Sequence, residues 1–196
     1  MTKEKRDLYV YLLQPFDIKK RKRVSCSKMY VGFSTHIGRR LRTHLASKGA
    51  KKTQRWIKKY GAVIPYCFVT GFTKKTYTLS FETAVQTHKL PFGERSKIPA
   101  SIRRLIRVTN KRTWSAIKKI PNTRDLPNLT IHWIKPEFKP KPGEYRLNFP
   151  DNVNHVHKSS YLKIDNIISD TSMTRLIKKQ AIQDSLQGTA VHCNPA

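Results

Sequence analysis

Carboxylates are scarce in this sequence: 12 Asp and Glu stand against 40 Lys and Arg, and from Ile18 to Gly93 the only acidic residue is Glu82. Cysteine is scarcer still. Cys26, Cys67 and Cys193 are too few and too scattered for a disulfide framework, and no CxxC or Cys/His pairing has zinc-ligand spacing. That excludes a disulfide-stapled secreted module and makes a reducing compartment the default. Long apolar runs are also missing. No segment approaches the ~20 apolar residues of a membrane span, and no apolar h-region follows Met1. The sequence therefore reads as a soluble protein without a secretory signal, nuclear or cytoplasmic and not secreted.

What is abundant is positive charge, a formal +28 with a sequence pI near 10.4. Such an excess repels itself unless a polyanion neutralises it. Neither end carries an amphipathic anchor or lipidation signal, so nucleic acid is favoured over an anionic membrane. A length of 196 residues allows one domain of ordinary size and an extension.

Tyr9 to Leu13 and Lys28 to Phe33 are rich in strand formers and read as two paired strands, joined by a basic loop from Ile18 to Lys28. Ser34 can cap a helix whose Ile37, Leu41 and Leu45 recur at i, i+4 and i+8, with Gly49 as its stop. On that helix Arg40 and His44 share a face. Val63 to Val69 reads as a third strand, which Pro65 assigns to an edge. Thr78 then caps a helix from Leu79 to Lys89, ended by Pro91, with Glu82 in its first turn. Pro99 starts another, with Ile102, Leu105 and Ile106 inward and Arg103, Arg104, Arg107 and Lys111 outward. Thr130 to Ile134 alternates as a late strand, Lys135 to Pro142 looks like an extended linker, and the polar remainder holds one weakly amphipathic stretch, Met173 to Leu186. The pattern is α+β: a small central sheet flanked by helices, with a helical and extended C-terminal extension.

A lone carboxylate among so many cations is either a local salt-bridge partner or the metal ligand of a phosphodiesterase. The surrounding residues bear on that choice. Tyr9-Val10-Tyr11 and Tyr30-Val31-Gly32 resemble the paired half-motifs of the GIY-YIG nucleases, with Tyr9 where that family usually has Gly. The run Arg39 to His44 resembles the helix supplying the family's Arg and His, and Phe81-Glu82-x-Ala84-x-Gln86-x-His88 the helix bearing its metal-binding Glu. The likeness extends over residues 8 to 137, through Leu126-Pro-Asn-Leu-Thr-Ile-His-Trp-Ile-Lys-Pro136, toward the catalytic subunit of the Slx-type structure-specific endonuclease. That subunit carries a RING-like zinc module through which it meets a scaffold, and the cysteines for such a module are absent here.

The resemblance implies a catalytic set of Tyr11, Tyr30, Arg40, His44 and Glu82, with Glu82 holding Mg²⁺ or Mn²⁺. Tyr11, its phenol pKa lowered by surrounding cations, is the candidate base for the attacking water, with Tyr30 positioning. Arg40 offers a planar fork to phosphate oxygens, and His44 relays a proton or orients Tyr11. Candidate DNA contacts are Lys19, Lys20, Arg21, Lys22, Arg23, Gly32, Arg39, Arg42, Arg55, Arg103, Arg104, Arg107, Lys111 and Arg112. Lys19 to Arg23 fits a DNA-contacting loop, a nuclear localisation signal or a plain solvated run. Gly32 is the motif glycine or merely a strand end, Tyr9 reads as a strand aromatic, and His36 as a solvated residue at a helix start.

The implied organisation is a nuclease domain at 1–92, a basic helical and strand extension packed on it at 93–140, and a polar, partly disordered tail at 141–196. The implied activity is metal-dependent nicking of branched DNA, with no membrane partner and with a scaffold protein or a homodimer as further partners. Two alternatives are a sequence-reading homing or restriction-like GIY-YIG nuclease and a basic nucleic-acid-binding protein without catalysis. Against the second stand five family residues in family order.

Overall fold

The computed structural model describes residues 8–24, 29–90, 99–111, 114, 129–141 and 148–157. The chain divides into units 1–158 and 159–196, and every described residue lies in the first. The amphipathic stretch 173–186, Arg112, Pro91 and Pro142 lie outside the described residues.

Strand β1, Tyr9–Asp17, is the centre of a sheet with the order β2-β1-β4-β5-β6. One side of β1 takes β3, Tyr30–Ser34, along its first half and the short β2, Lys22–Arg23, at its far end, while the other side takes β4, Gly61–Thr70. Then β5, Thr130–Trp133, pairs antiparallel with β4, and β6, Asn154–Val156, parallel with β5. Helices α1, Ile37–Leu45, α2, Lys51–Tyr60, α3, Lys75–Thr87, and α4, Ala100–Thr109, complete the α+β arrangement.

Val10, Tyr11, Leu12 and Leu13 are all buried because both faces of β1 are covered. Side chains alternate along a strand. Val10 and Leu12 join the apolar core with Phe81 and Val85 of α3 and Ile102, Leu105 and Ile106 of α4. Tyr11 therefore points to the other face, where it meets α1 through His44.

Several sequence expectations need correction. Pro65 does not mark an edge, since β4 lies between β1 and β5. The proline is tolerated because β5 pairs only with Cys67 to Thr70, and because on the β1 side the register slips between Leu12 and Leu13, where Pro65 is the next partner. Its missing N–H is thus not demanded by a regular ladder on either side.

Ser34 ends β3 instead of capping α1, whose N-cap is His36; the Ser34 hydroxyl accepts the His36 N–H at 3.0 Å. Thr78 sits inside α3, donating its hydroxyl to Lys74 O at 3.1 Å, so Glu82 lies in the second turn of that helix and not the first. Helix α2 was not foreseen: KKTQRWIKKY is so basic that only Thr53 is fully buried. It ends at Gly61, whose φ of 92° is a backbone state that suits glycine.

The run from Lys135 is no free linker. Pro136–Phe138 forms a 3₁₀ turn, and Phe138 stacks on Tyr66 at 4.4 Å between ring centroids. The Arg23 guanidinium lies 3.9 Å from the Phe138 centroid. Strand β6 comes from the segment read as a polar tail. Its His155 accepts the Trp133 indole N–H at 3.0 Å and packs against Phe149, which ties the strand to β5.

Candidate active site

Strand β1 delivers Tyr11 and strand β3 delivers Tyr30, in a register that sets Tyr11 opposite Gly32. That glycine is mid-strand, not a strand end. A Cβ there would meet the Tyr11 hydroxyl at 2.5 Å and the Tyr30 ring at 2.8 Å, so its absence makes room for two phenols side by side. Their ring centroids stand 6.1 Å apart.

Helix α1 brings Arg40 and His44, one turn apart, against this pair. Arg40 Nε–H donates to the Tyr11 hydroxyl oxygen at 3.0 Å, and His44 Nε2 lies 3.0 Å from the same oxygen. On its far side His44 Nδ1 is 2.8 Å from Thr53 Oγ1. The direction of each bond follows from counting protons. Thr53 has one hydroxyl hydrogen and gives it to Ala50 O at 2.8 Å. Toward His44 it can only accept, so Nδ1 carries the imidazole proton. Burial, with the Arg40 charge acting in the same sense, pushes the His44 pKa down to about 4, so the ring is neutral at pH 7. Nε2 is then a lone pair and Tyr11 O–H is its donor.

Tyr30 lies half-buried beside these two side chains, its ring centroid 6.1 Å from that of Tyr11 and 5.1 Å from that of His44. Donors thus point one way, from Tyr11 through His44 and Thr53 to the Ala50 carbonyl.

This arrangement overturns one expectation. The Tyr11 phenol is raised above its ordinary pKa by burial, which outweighs the lowering effect of Arg40. Tyr11 has no exposed surface, so the cations beside it do not make it an acidic phenol open to water. Arg40 is raised in turn, chiefly by its hydrogen bond to Tyr11.

Glu82 comes from α3, half-buried and within the field of Arg40. Burial raises its carboxyl, opposed by the Arg40 charge and by a hydrogen bond from Gln86. Gln86 Nε2 donates to Glu82 Oε1 at 3.0 Å and to Val31 O at 3.1 Å, fixing the carboxylate to β3. Among the described residues no group of three or more His, Cys, Asp or Glu could hold a metal ion. A metal here would take one protein carboxylate and complete its sphere with water, as Mg²⁺ readily does.

The remaining candidates separate. Lys19, Lys20 and Arg21 are exposed on the turn between β1 and β2, Lys22 is exposed at the start of β2, and Arg39, Arg42 and Arg55 are exposed on α1 and α2. Arg23 is instead enclosed by Tyr66 and Phe138, and burial lowers its pKa to about 10. Arg103, expected to point outward, is 8% exposed. Arg104 and Arg107 are half-buried and Lys111 is exposed.

Three residues of the site were not foreseen. Thr53 and Gly49 give no signal of this role in the sequence: Thr53 stands within the basic run KKTQRWIKKY, and Gly49 reads as a helix stop. In the structure a Cβ on Gly49 would collide with the His44 imidazole. Gln86 was legible in principle, one helical turn beyond Glu82.

Among the described residues no helix is long and apolar enough to cross a membrane. Residues 9–95 match the family model described as the GIY-YIG catalytic domain. No curated protein matches the chain. A GIY-YIG domain implies an endonuclease, a hydrolase of phosphodiester bonds, and suggests DNA as the substrate; nucleases of this family are generally dependent on a divalent metal.

Proposed function

We propose that this chain, with its GIY-YIG catalytic domain at residues 9–95, is a structure-specific endonuclease that nicks branched DNA such as flaps, forks and four-way junctions. The observation that carries the catalytic part is the one-way proton chain from Tyr11 to the Ala50 carbonyl, with Tyr30 packed beside it and Arg40 and Glu82 flanking it. The Slx-type likeness over residues 8 to 137 supports branched DNA as the substrate. So does the scarcity of carboxylates, since cations on phosphates give affinity with little sequence preference and leave shape to be read.

In this reading the attacking water sits against Tyr30. As its oxygen approaches phosphorus it gives a proton to Tyr30; the Tyr30 proton passes to Tyr11, and the Tyr11 proton to His44 Nε2. His44 ends as imidazolium, held by Thr53, and no free phenolate has to accumulate. Arg40 faces the phosphate oxygens as charge develops. Glu82 is the protein ligand of Mg²⁺ or Mn²⁺, with Gln86 holding it in place. When bound, the ion supplies positive charge to the scissile phosphate and the departing 3′ oxygen. Action in nucleus or cytoplasm, and recruitment by a scaffold protein or by dimerisation, complete the proposal.

The test is cleavage of labelled flap, fork, four-way-junction and linear duplex DNA with Mg²⁺ by the wild type and by Glu82→Gln. The expected result is nicking of branched substrates that disappears in the variant while DNA binding persists. Equal cutting of linear duplex would remove the structure-specific reading, and full activity of Glu82→Gln would remove the metal role.

A further inference from the structure

Beside the proton chain runs a cleft that shares Tyr30 and Gln86 with the catalytic scheme and whose cations that scheme leaves unused. Its floor is Met29 to Val31, one wall is Lys52 of α2, and the other is Ser101 and Arg104 of α4, with a cavity volume of about 370 Å³. It is a built feature. Ser101 Oγ accepts the Met29 N–H at 2.8 Å, and Lys52 Nζ donates to Met29 O at 3.0 Å, so both walls are fastened to the floor. Among the described residues no carboxylate lines it, and the two charged ones, Lys52 and Arg104, are both cations.

Arg104 is the second of these cations, and its Nη1 donates to Gln86 O at 3.3 Å, which ties the guanidinium to α3. Two cations on one cleft suit an anion with several oxygens. Tyr30 belongs to the cleft and to the proton chain at once, which places any occupant next to the reacting phosphate.

We propose that this cleft is a phosphate subsite, in which Lys52 and Arg104 hold a phosphodiester of the cut strand neighbouring the scissile one. The proposal rests on the nuclease reading and adds to it a fixed register: the strand is located by two consecutive anchors, one at Arg40 and one between α2 and α4. Helix α2 then serves both, with Thr53 turned to His44 and Lys52 to the strand.

The experiment is a methylphosphonate scan. Single neutral linkages are placed at each phosphate in turn along one strand of a flap substrate, and Kd is measured by fluorescence anisotropy in EDTA for wild type, Lys52→Met and Arg104→Met. At one phosphate the neutral linkage is expected to weaken wild-type binding about tenfold, the worth of one charge-assisted hydrogen bond, and the variants' binding by less than about twofold. Loss of the same factor by all three proteins at every phosphate overturns the subsite. So does a scan with no sensitive position. Circular dichroism controls for folding, and if Arg104→Met is unfolded, Lys52→Met alone decides. Because the scan needs no cutting, it stays separate from the nuclease reading, which is tested by wild-type cleavage with Mg²⁺ in parallel.

Discussion

Thr53 Oγ1 lies 2.8 Å from His44 Nδ1 and gives its own hydrogen to the backbone of Ala50. One hydroxyl outside the expected catalytic set therefore decides which imidazole nitrogen faces Tyr11. Thr53→Val keeps the shape and removes that decision. Its kcat should fall roughly ten- to hundredfold, within or below the range of acid–base catalysis itself, with KM little changed. Thr53→Ser should recover most of the rate. Unchanged kcat in Thr53→Val would remove the tautomer from the mechanism.

Tyr11→Phe preserves the ring against Gly32 but strips Arg40 Nε and His44 Nε2 of their shared partner. Leaving buried polar groups unmet should lower stability by about 1–3 kcal/mol, measurable by urea unfolding. Cutting should drop about 10²-fold or more, because the chain is severed in the middle. Wild-type rates in this variant would rule out Tyr11 as a relay.

Gly49→Ala tests packing around the base. An added methyl group must displace the His44 ring or the α1–α2 connection. A lowered midpoint of thermal unfolding is expected, equivalent to about 1–3 kcal/mol for an overpacked interior, together with lost activity. A stable, active protein would mean that the connection yields freely.

Gln86→Leu leaves Glu82 without its tie to β3. Titrating Mg²⁺ against initial rate should show a higher concentration for half-maximal cutting, with the saturated rate reduced far less than in Glu82→Gln. An unchanged titration curve would make Gln86 a surface residue only.

His44 also sets an acid limit on stability. Its folded pKa, about 4, lies below the ordinary 6.5, so the unfolded chain binds more protons between these values. Stability from this group is complete above pH 6.5 and is lost as pH falls toward 4. His155, lowered to about 4 by burial, then by Lys139 and His157, adds to the same slope. Denaturant unfolding between pH 7 and 4.5 should show the decline, and His44→Gln should flatten it. An equally steep decline in that variant would assign the slope elsewhere.

The strands β1, β3, β4 and β5 were readable because their apolar runs are dense and bounded by turn residues. Arg40 and His44 were readable because a helix with Ile37 and Leu41 buried leaves few ways to place the positions between them. What stayed hidden depends on contacts remote in sequence. Helix α2 has too few apolar residues to declare itself and is held by Thr53 reaching His44. The protonation of Tyr11 could not be read from its neighbours, since the sequence shows the cations but not the depth at which the phenol lies. Arg103 and Arg23 look like any other cations until α4 and the Phe138 turn enclose them. Strand β6 was missed because three residues of mixed polarity acquire strand character only beside β5.

That last strand changes what the far end of the sheet presents to other molecules. β4 is buried along eight of its ten residues, and Cys67, Phe68 and Val69 have no exposed surface. Without residues 129–157 its free backbone groups would form an open border, an invitation for another chain to zip on. β5 occupies that border and β6 closes it with only three residues, a short and polar outermost strand of the kind that discourages stacking between copies. β5 and β6 thus cover the border of β4, and a version cut back before β5 is expected to aggregate through that border.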